Sequence, residues 1–146
     1  RIKREVVARD PHEAGERVTL NLGHTLGHAL EQAGGFARFT HGQAVGLGLL
    51  AAVRLARARG VLEEDLEPAL EDLLRAWDLP LRIPSDIPWP VTWEALRRDK
   101  KGVDGRLVFI LPRRTGCVER VDDVTEDEVH RVFQSLQRGP AGGHLV

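Results

Sequence analysis

Tandem helical periodicity is the strongest constraint on this chain. From about Glu16 the apolar positions Leu20, Leu26 and Leu30, with Ala29 and Ala33, recur at three- and four-residue spacing until Gly34-Gly35 stops them. A short connection, Phe36 to Thr40, leads to a second, strongly apolar helix over Gln43 to Arg59, ended by Gly60. A helix this apolar must be covered by other elements, so the remaining chain has to pack around it. Glu63 to Trp77 predicts an amphipathic helix of that kind, with Leu66, Leu70, Leu73 and Leu74 on one face and acidic residues on the other.

The pattern then changes. Leu79 to Pro90 holds four prolines and predicts an irregular crossing. A short helix follows, with Thr92 as its expected cap, and delivers Arg97-Arg98-Asp99-Lys100-Lys101. Leu107 to Leu111 and Cys117 to Val121 are β-prone runs joined by Pro112-Arg113-Arg114-Thr115-Gly116, the outline of a small hairpin. Thr125-Glu126-Asp127-Glu128 has capping-box form and opens a last helix to about Gln137. The fold expected is mainly α with one small β-hairpin. With 146 residues the chain is long enough for one compact domain, placed at residues 1–137, with a glycine-rich tail at 138–146 expected to be disordered. Upstream, Arg1 to Ala8 has mixed charges around Ile2, Val6 and Val7 and runs uncapped into Asp10-Pro11, so it reads as a helix cut at its beginning.

Charge narrows the partners. A formal net charge of −1 supplies no overall field toward nucleic acid or anionic lipid, so any basic site must be local. The single cysteine, Cys117, has no internal disulfide partner, and no signal-peptide pattern opens the chain, which makes a reducing cytoplasm the expected location. The longest weakly polar run, Ala44 to Ala52, is too short to cross a bilayer and is broken by Gly46 and Gly48.

The chemistry concentrates in the first helix. His24 and His28 lie four residues apart, so both imidazoles project from one helix face and can share a metal. Gly23 and Gly27 flank them at the same spacing. Each lowers helix stability relative to alanine, a loss a helix accepts where something must approach its backbone, which here suggests a ligand. His41, after the connection, can fold back as a further ligand. A buried histidine is also an ordinary hydrogen-bonded core residue, and no carboxylate is clearly placed to complete a metal site, although Glu13 and Glu31 are near in sequence. Lys3, Arg17, Lys100 and Lys101 are either a local anion pocket or a solvated surface. Asn21, among leucines on a helix, is expected to be partly buried and so to need polar partners.

The ordered string Lys3, Glu13, Arg17, Asn21-Leu22-Gly23-His24-Thr25-Leu26-Gly27-His28, His41-Gly42-Gln43-Ala44-Val45 and Arg98-Asp99-Lys100-Lys101 resembles the 3-dehydroquinate synthases over most of the chain. The resemblance implies the helical C-terminal domain of that fold. It also implies an NAD-dependent enzyme that turns 3-deoxy-arabino-heptulosonate 7-phosphate into 3-dehydroquinate and phosphate, in the shikimate route to aromatic amino acids. By the same resemblance His24 and His41 bind zinc or cobalt, whereas His28 contacts substrate and handles protons. Glu13 is a second acid–base residue, Arg17 and Asn21 hold the substrate with Lys3 assisting, and one of Lys100 and Lys101 binds its phosphate.

Two departures stand out. Gln43 occupies a position where the family more often has glutamate, which removes a charge beside His41. The NAD-binding half that precedes this region in the family is absent from the sequence, and no glycine-rich phosphate loop replaces it. The expected partners are therefore that missing half, the phosphorylated sugar acid and, in the full-length enzyme, a second subunit; alone, the chain is expected to be inactive. Two other readings remain. One is a related cyclase such as a 2-deoxy-scyllo-inosose synthase, or more distantly a metal-dependent glycerol or alcohol dehydrogenase. The other is a non-catalytic helical docking module with structural histidines.

Overall fold

The computed structural model describes residues 23–35, 37–98 and 107–138. In chain order these form α1 (His24–Ala33), α2 (His41–Ala58), α3 (Glu67–Ala76), α4 (Trp89–Arg98), β1 (Phe109–Arg114), β2 (Cys117–Val121) and α5 (Glu126–Arg138). The described chain is thus mainly helical, with one two-stranded antiparallel sheet.

The most apolar helix is the hub. α2 touches α1, α3, β1 and α5, while α4 packs on α1. Ala44, Leu47, Leu50, Ala51, Leu55 and Ala56 of α2 are buried, and Phe133 and Leu136 of α5 close the same core. Burying each of the leucine and phenylalanine side chains is worth about 1.5 to 3 kcal/mol, which is the main driving force for wrapping the shorter helices around α2.

Local chemistry sets the ends of these elements. α2 begins two residues before the expected Gln43, because Thr40 caps it: the Thr40 hydroxyl accepts from Gln43 N (3.1 Å) and the Gln43 side-chain oxygen accepts from Thr40 N (2.9 Å). α5 starts in the same way at Thr125, with Glu128 returning the bond to the Thr125 amide. α4 begins at Trp89, three residues before the cap expected at Thr92, and Thr92 instead donates its hydroxyl back to the Pro88 carbonyl (3.0 Å).

α3 also differs at its start. Residues 63–66 were expected to be helical, but the Glu63 amide donates to the Arg113 carbonyl, and its carboxylate accepts from the side chains of Arg113 and Arg114. Glu64 meanwhile accepts from the Thr115 amide. The loop is thereby tied to the hairpin turn, and the helix starts only at Glu67-Pro68. The hairpin pairs Phe109 with Val121 through Arg114 with Cys117, turning at Thr115-Gly116 where Gly116 has φ +80°.

Among the described residues no helix is long and apolar enough to cross a membrane. The expectations for Arg1 to Ala8 and for the tail beyond Arg138 lie outside the described residues.

Candidate functional site

The candidate site lies where α1 and the start of α2 meet. Gly23 begins α1 in the left-handed region (φ +81°), and no side chain caps the helix. The glycines that suggested ligand access serve a different purpose. A Cβ at Gly27 would stand 2.9 Å from the Ala44 carbonyl oxygen, and one at Gly48 would overlap the Gly23 carbonyl and lie 3.0 Å from Gly27 N. The backbone that approaches α1 so closely belongs to α2. Glycine at these positions lets two helix backbones touch, and the histidines are carried on that contact.

His24 is the first residue of α1 and His41 the first of α2, and their rings lie 5.6 Å apart, tilted by 49°. Two imidazoles bound at about 2.0 to 2.1 Å to one tetrahedral ion bring their centroids to roughly 5 Å, so the observed separation fits a shared divalent metal. Neutral imidazole is a common donor for zinc and cobalt, so the donor chemistry fits as well. Among the described residues no set of three His, Cys, Asp or Glu side chains gathers to hold a metal.

His28, one turn along α1, is about half exposed. Its Nε2 lies 2.9 Å from the Gln32 amide nitrogen, and its Nδ1 is 3.9 Å from Glu31. Spacing alone allows His24 and His28 to share an ion, but the ring that lies against His24 is that of His41. Glu31, which the motif did not single out, holds both carboxylate oxygens 3.3 Å from Nδ1 of His41. The signal for it was available: Glu31 is three residues after His28 and seven after His24, hence on the same helix face.

Gln43 is committed to the Thr40 cap. The substitution of amide for carboxylate at this position thus keeps the helix start that orients His41. Lys3, Glu13, Arg17, Asn21, Lys100 and Lys101, the other candidate site residues, lie outside the described residues.

The class of protein follows from the fold. The chain superposes on a 2-epi-5-epi-valiolone synthase from Streptomyces hygroscopicus subsp. jinggangensis with NAD+ and Zn2+ bound (TM-score 0.74, 27% identity), covering 90% of this chain and 36% of that one. It shares its fold with a 2-deoxy-scyllo-inosose synthase complexed with carbaglucose-6-phosphate, NAD+ and Co2+ (TM-score 0.76, 24% identity), over 91% of this chain and 39% of that one.

Sequence narrows the class to one family. Residues 1–102 match the family model for the 3-dehydroquinate synthase C-terminal region, and the chain belongs to that family. It is 44% identical over 139 residues to the 3-dehydroquinate synthase of Symbiobacterium thermophilum, and 41% identical over 131 residues to that of Colwellia psychrerythraea. These alignments take in 94% and 90% of this chain but only 38% and 37% of the relatives, so the chain spans a little over a third of their length.

Proposed function

We propose that this chain is the metal- and substrate-binding part of a 3-dehydroquinate synthase, acting with an NAD-binding half on 3-deoxy-arabino-heptulosonate 7-phosphate to release phosphate and form 3-dehydroquinate. One observation carries the reading: in a chain of this family, the first residues of two helices bring the His24 and His41 imidazoles together at a spacing suited to one divalent ion. The cofactors proposed are NAD, held mainly by the other half, and Zn2+ or Co2+; the NAD+ and Zn2+ in the 27% identical synthase support them.

When bound, the metal would polarise a substrate oxygen as a Lewis acid while NAD takes and returns a hydride. The protein's own residues do the remaining work. His24 and His41 hold the metal, and because each opens a helix seated on the glycine contact, their placement is set by backbone packing. His28, half exposed one turn away, contacts substrate and carries a proton at its imidazole. Glu13 serves as a second acid–base group. Arg17, Asn21 and Lys3 hold the anionic and hydroxyl groups, and Lys100 or Lys101 receives the phosphate. The enzyme so assembled is read as a cytoplasmic carbon–oxygen lyase and a homodimer.

The reading is tested by combining this polypeptide with the NAD-binding half, NAD, a divalent metal and the heptulosonate phosphate, and following phosphate release. Release with 3-dehydroquinate formation, lost in His24→Ala and His28→Ala, is the expected result. A stable complex of the halves that releases no phosphate would contradict it, and a different carbocycle would reassign the chain to a related cyclase.

A further inference from the structure

The carboxylate of Glu31 lies inside the histidine corner without belonging to the metal pair. Its side chain is only 13% exposed, whereas those of His41 and His28 are 66% and 45% exposed. A carboxylate so covered needs hydrogen-bond donors, because a poorly solvated charge without partners is costly. Among the described residues its hydrogen-bond donor is a ring nitrogen, Nδ1 of His41 at 3.3 Å from both oxygens; Nδ1 of His28 stands farther off at 3.9 Å.

The geometry determines what that contact does. An imidazole whose Nδ1 faces a carboxylate keeps its proton there and leaves Nε2 with a lone pair. For His41 this selects the form that can donate to a metal, and it fixes the ring about its bond to α2. Glu31 sits in the second half of α1 and His41 at the first residue of α2, so the contact bridges the same two helices that the glycine packing brings together.

Among the described residues, His28 is held by a hydrogen bond to Gln32 alone. With the Gln32 amide nitrogen donating, its Nε2 accepts, which leaves its proton on Nδ1, facing Glu31.

We propose that Glu31 is a positioning residue of this site: its carboxylate accepts the Nδ1 proton of His41, holding that ring as an Nε2 donor. The inference rests on the metal-binding reading given above. It assigns Glu31 no contact with substrate and no place among the metal ligands, since it acts through the ring nitrogen that the metal does not use. Partners of this kind typically change metal affinity 10- to 100-fold when removed.

The test uses the enzyme complete with its NAD-binding half and two readouts other than turnover. In the metal-free form, nitrogen NMR of labelled histidine reports the tautomer of His41. In the metal-titrated form, competition with a chromogenic chelator gives the affinity for Zn2+ and for Co2+. Glu31→Gln preserves side-chain shape, and circular dichroism verifies the helices; Glu31→Asp, which keeps the charge on a shorter arm, serves if the amide disturbs folding.

The expected results are an Nδ1-protonated His41 in the unmodified enzyme, a mixture of tautomers in Glu31→Gln, and metal binding roughly 10- to 100-fold weaker in that variant. The shorter carboxylate of Glu31→Asp should fall between the two. Metal affinity and His41 tautomer both unchanged in a folded variant would overturn the role of Glu31 while leaving the metal reading intact. No metal binding by the unmodified complete enzyme would overturn both.

Discussion

Two regions of the molecule treat charge in opposite ways. At the hairpin end, charges are consumed by one another: Arg113 pairs with Glu63 and Glu119, Arg114 with Glu63, and Arg59 with Asp123 and Glu128. Beside them Glu67 receives both Arg54 and Arg57. At the histidine end, the helices are joined chiefly by close backbone contact, and the His28 and His41 side chains are 45% and 66% exposed. The contrast teaches a division of labour. The ion-paired end fastens loop to hairpin, whereas the other end obtains its rigidity from glycine so that its polar groups stay available.

Gly48→Ala should break that comparison most severely. Its methyl group would meet the backbone carbonyl of Gly23, which no side-chain rotation can relieve. We expect a loss of about 3 kcal/mol or more, read by denaturant unfolding, with metal binding lost together with the α1–α2 contact. A stable Gly48→Ala protein with unchanged metal affinity would show that the close approach is not what places the histidines.

At the other end, Glu67→Gln should cost roughly 1 to 3 kcal/mol, since two guanidinium groups lose a shared carboxylate whose side chain is only 12% exposed. Metal affinity should not move. If it does, the two ends are coupled more tightly than their separate construction implies.

Acid should act mainly on the same end, with one further pair in the connection before α2. Burial works to raise the Glu67 carboxyl pKa, but Arg54 and Arg57 together hold it below the usual carboxylate range. Arg113 and Arg114 lower Glu63, and Arg38 lowers Asp86. A carboxylate depressed by folding contributes stability above its unfolded pKa, and that contribution is lost as pH falls through its folded pKa. Glu71 runs the other way, raised by burial and by neighbouring Glu67, so its contribution is present at low pH and lost as pH rises. With three depressed groups against one raised, the melting temperature should fall on acidification from about pH 5 toward pH 3, the range in which ordinary carboxylates take up protons. The slope should be shallower in Glu67→Gln.

The smallest effect is expected from Gln43→Glu. Glutamate also completes the box with Thr40, and its charge at the positive end of α2 adds about 0.3 to 1 kcal/mol. Chelator competition should show less than about a tenfold change in metal affinity, below the range expected when a direct partner of a ligand is removed.

Local signals made much of this legible in the sequence. Thr125 with Glu128 marks α5 unambiguously, and the turn at Gly116 marks the hairpin. The start of α3 was hidden because Glu63 and Glu64 answer to Arg113, Arg114 and Thr115, some fifty residues away, and no local window contains that pull. The same limit applied to the site. Helical spacing sees His24 and His28 on one face, but the ring that lies against His24 comes from the next helix, through a crossing set by Gly23, Gly27 and Gly48. The motif of glycines was visible; that their neighbour is a backbone rather than a ligand required the packing.

The most direct test of the central claim is the metal content of the complete enzyme after dialysis, compared among the unmodified protein, His24→Ala and His41→Ala, with the metal-free unfolding temperature of each. The account predicts bound zinc or cobalt in the unmodified enzyme, little in either variant, and metal-free unfolding temperatures that stay close together. Variants that keep their metal, or that lose their fold with no metal present, would contradict it and make these histidines structural.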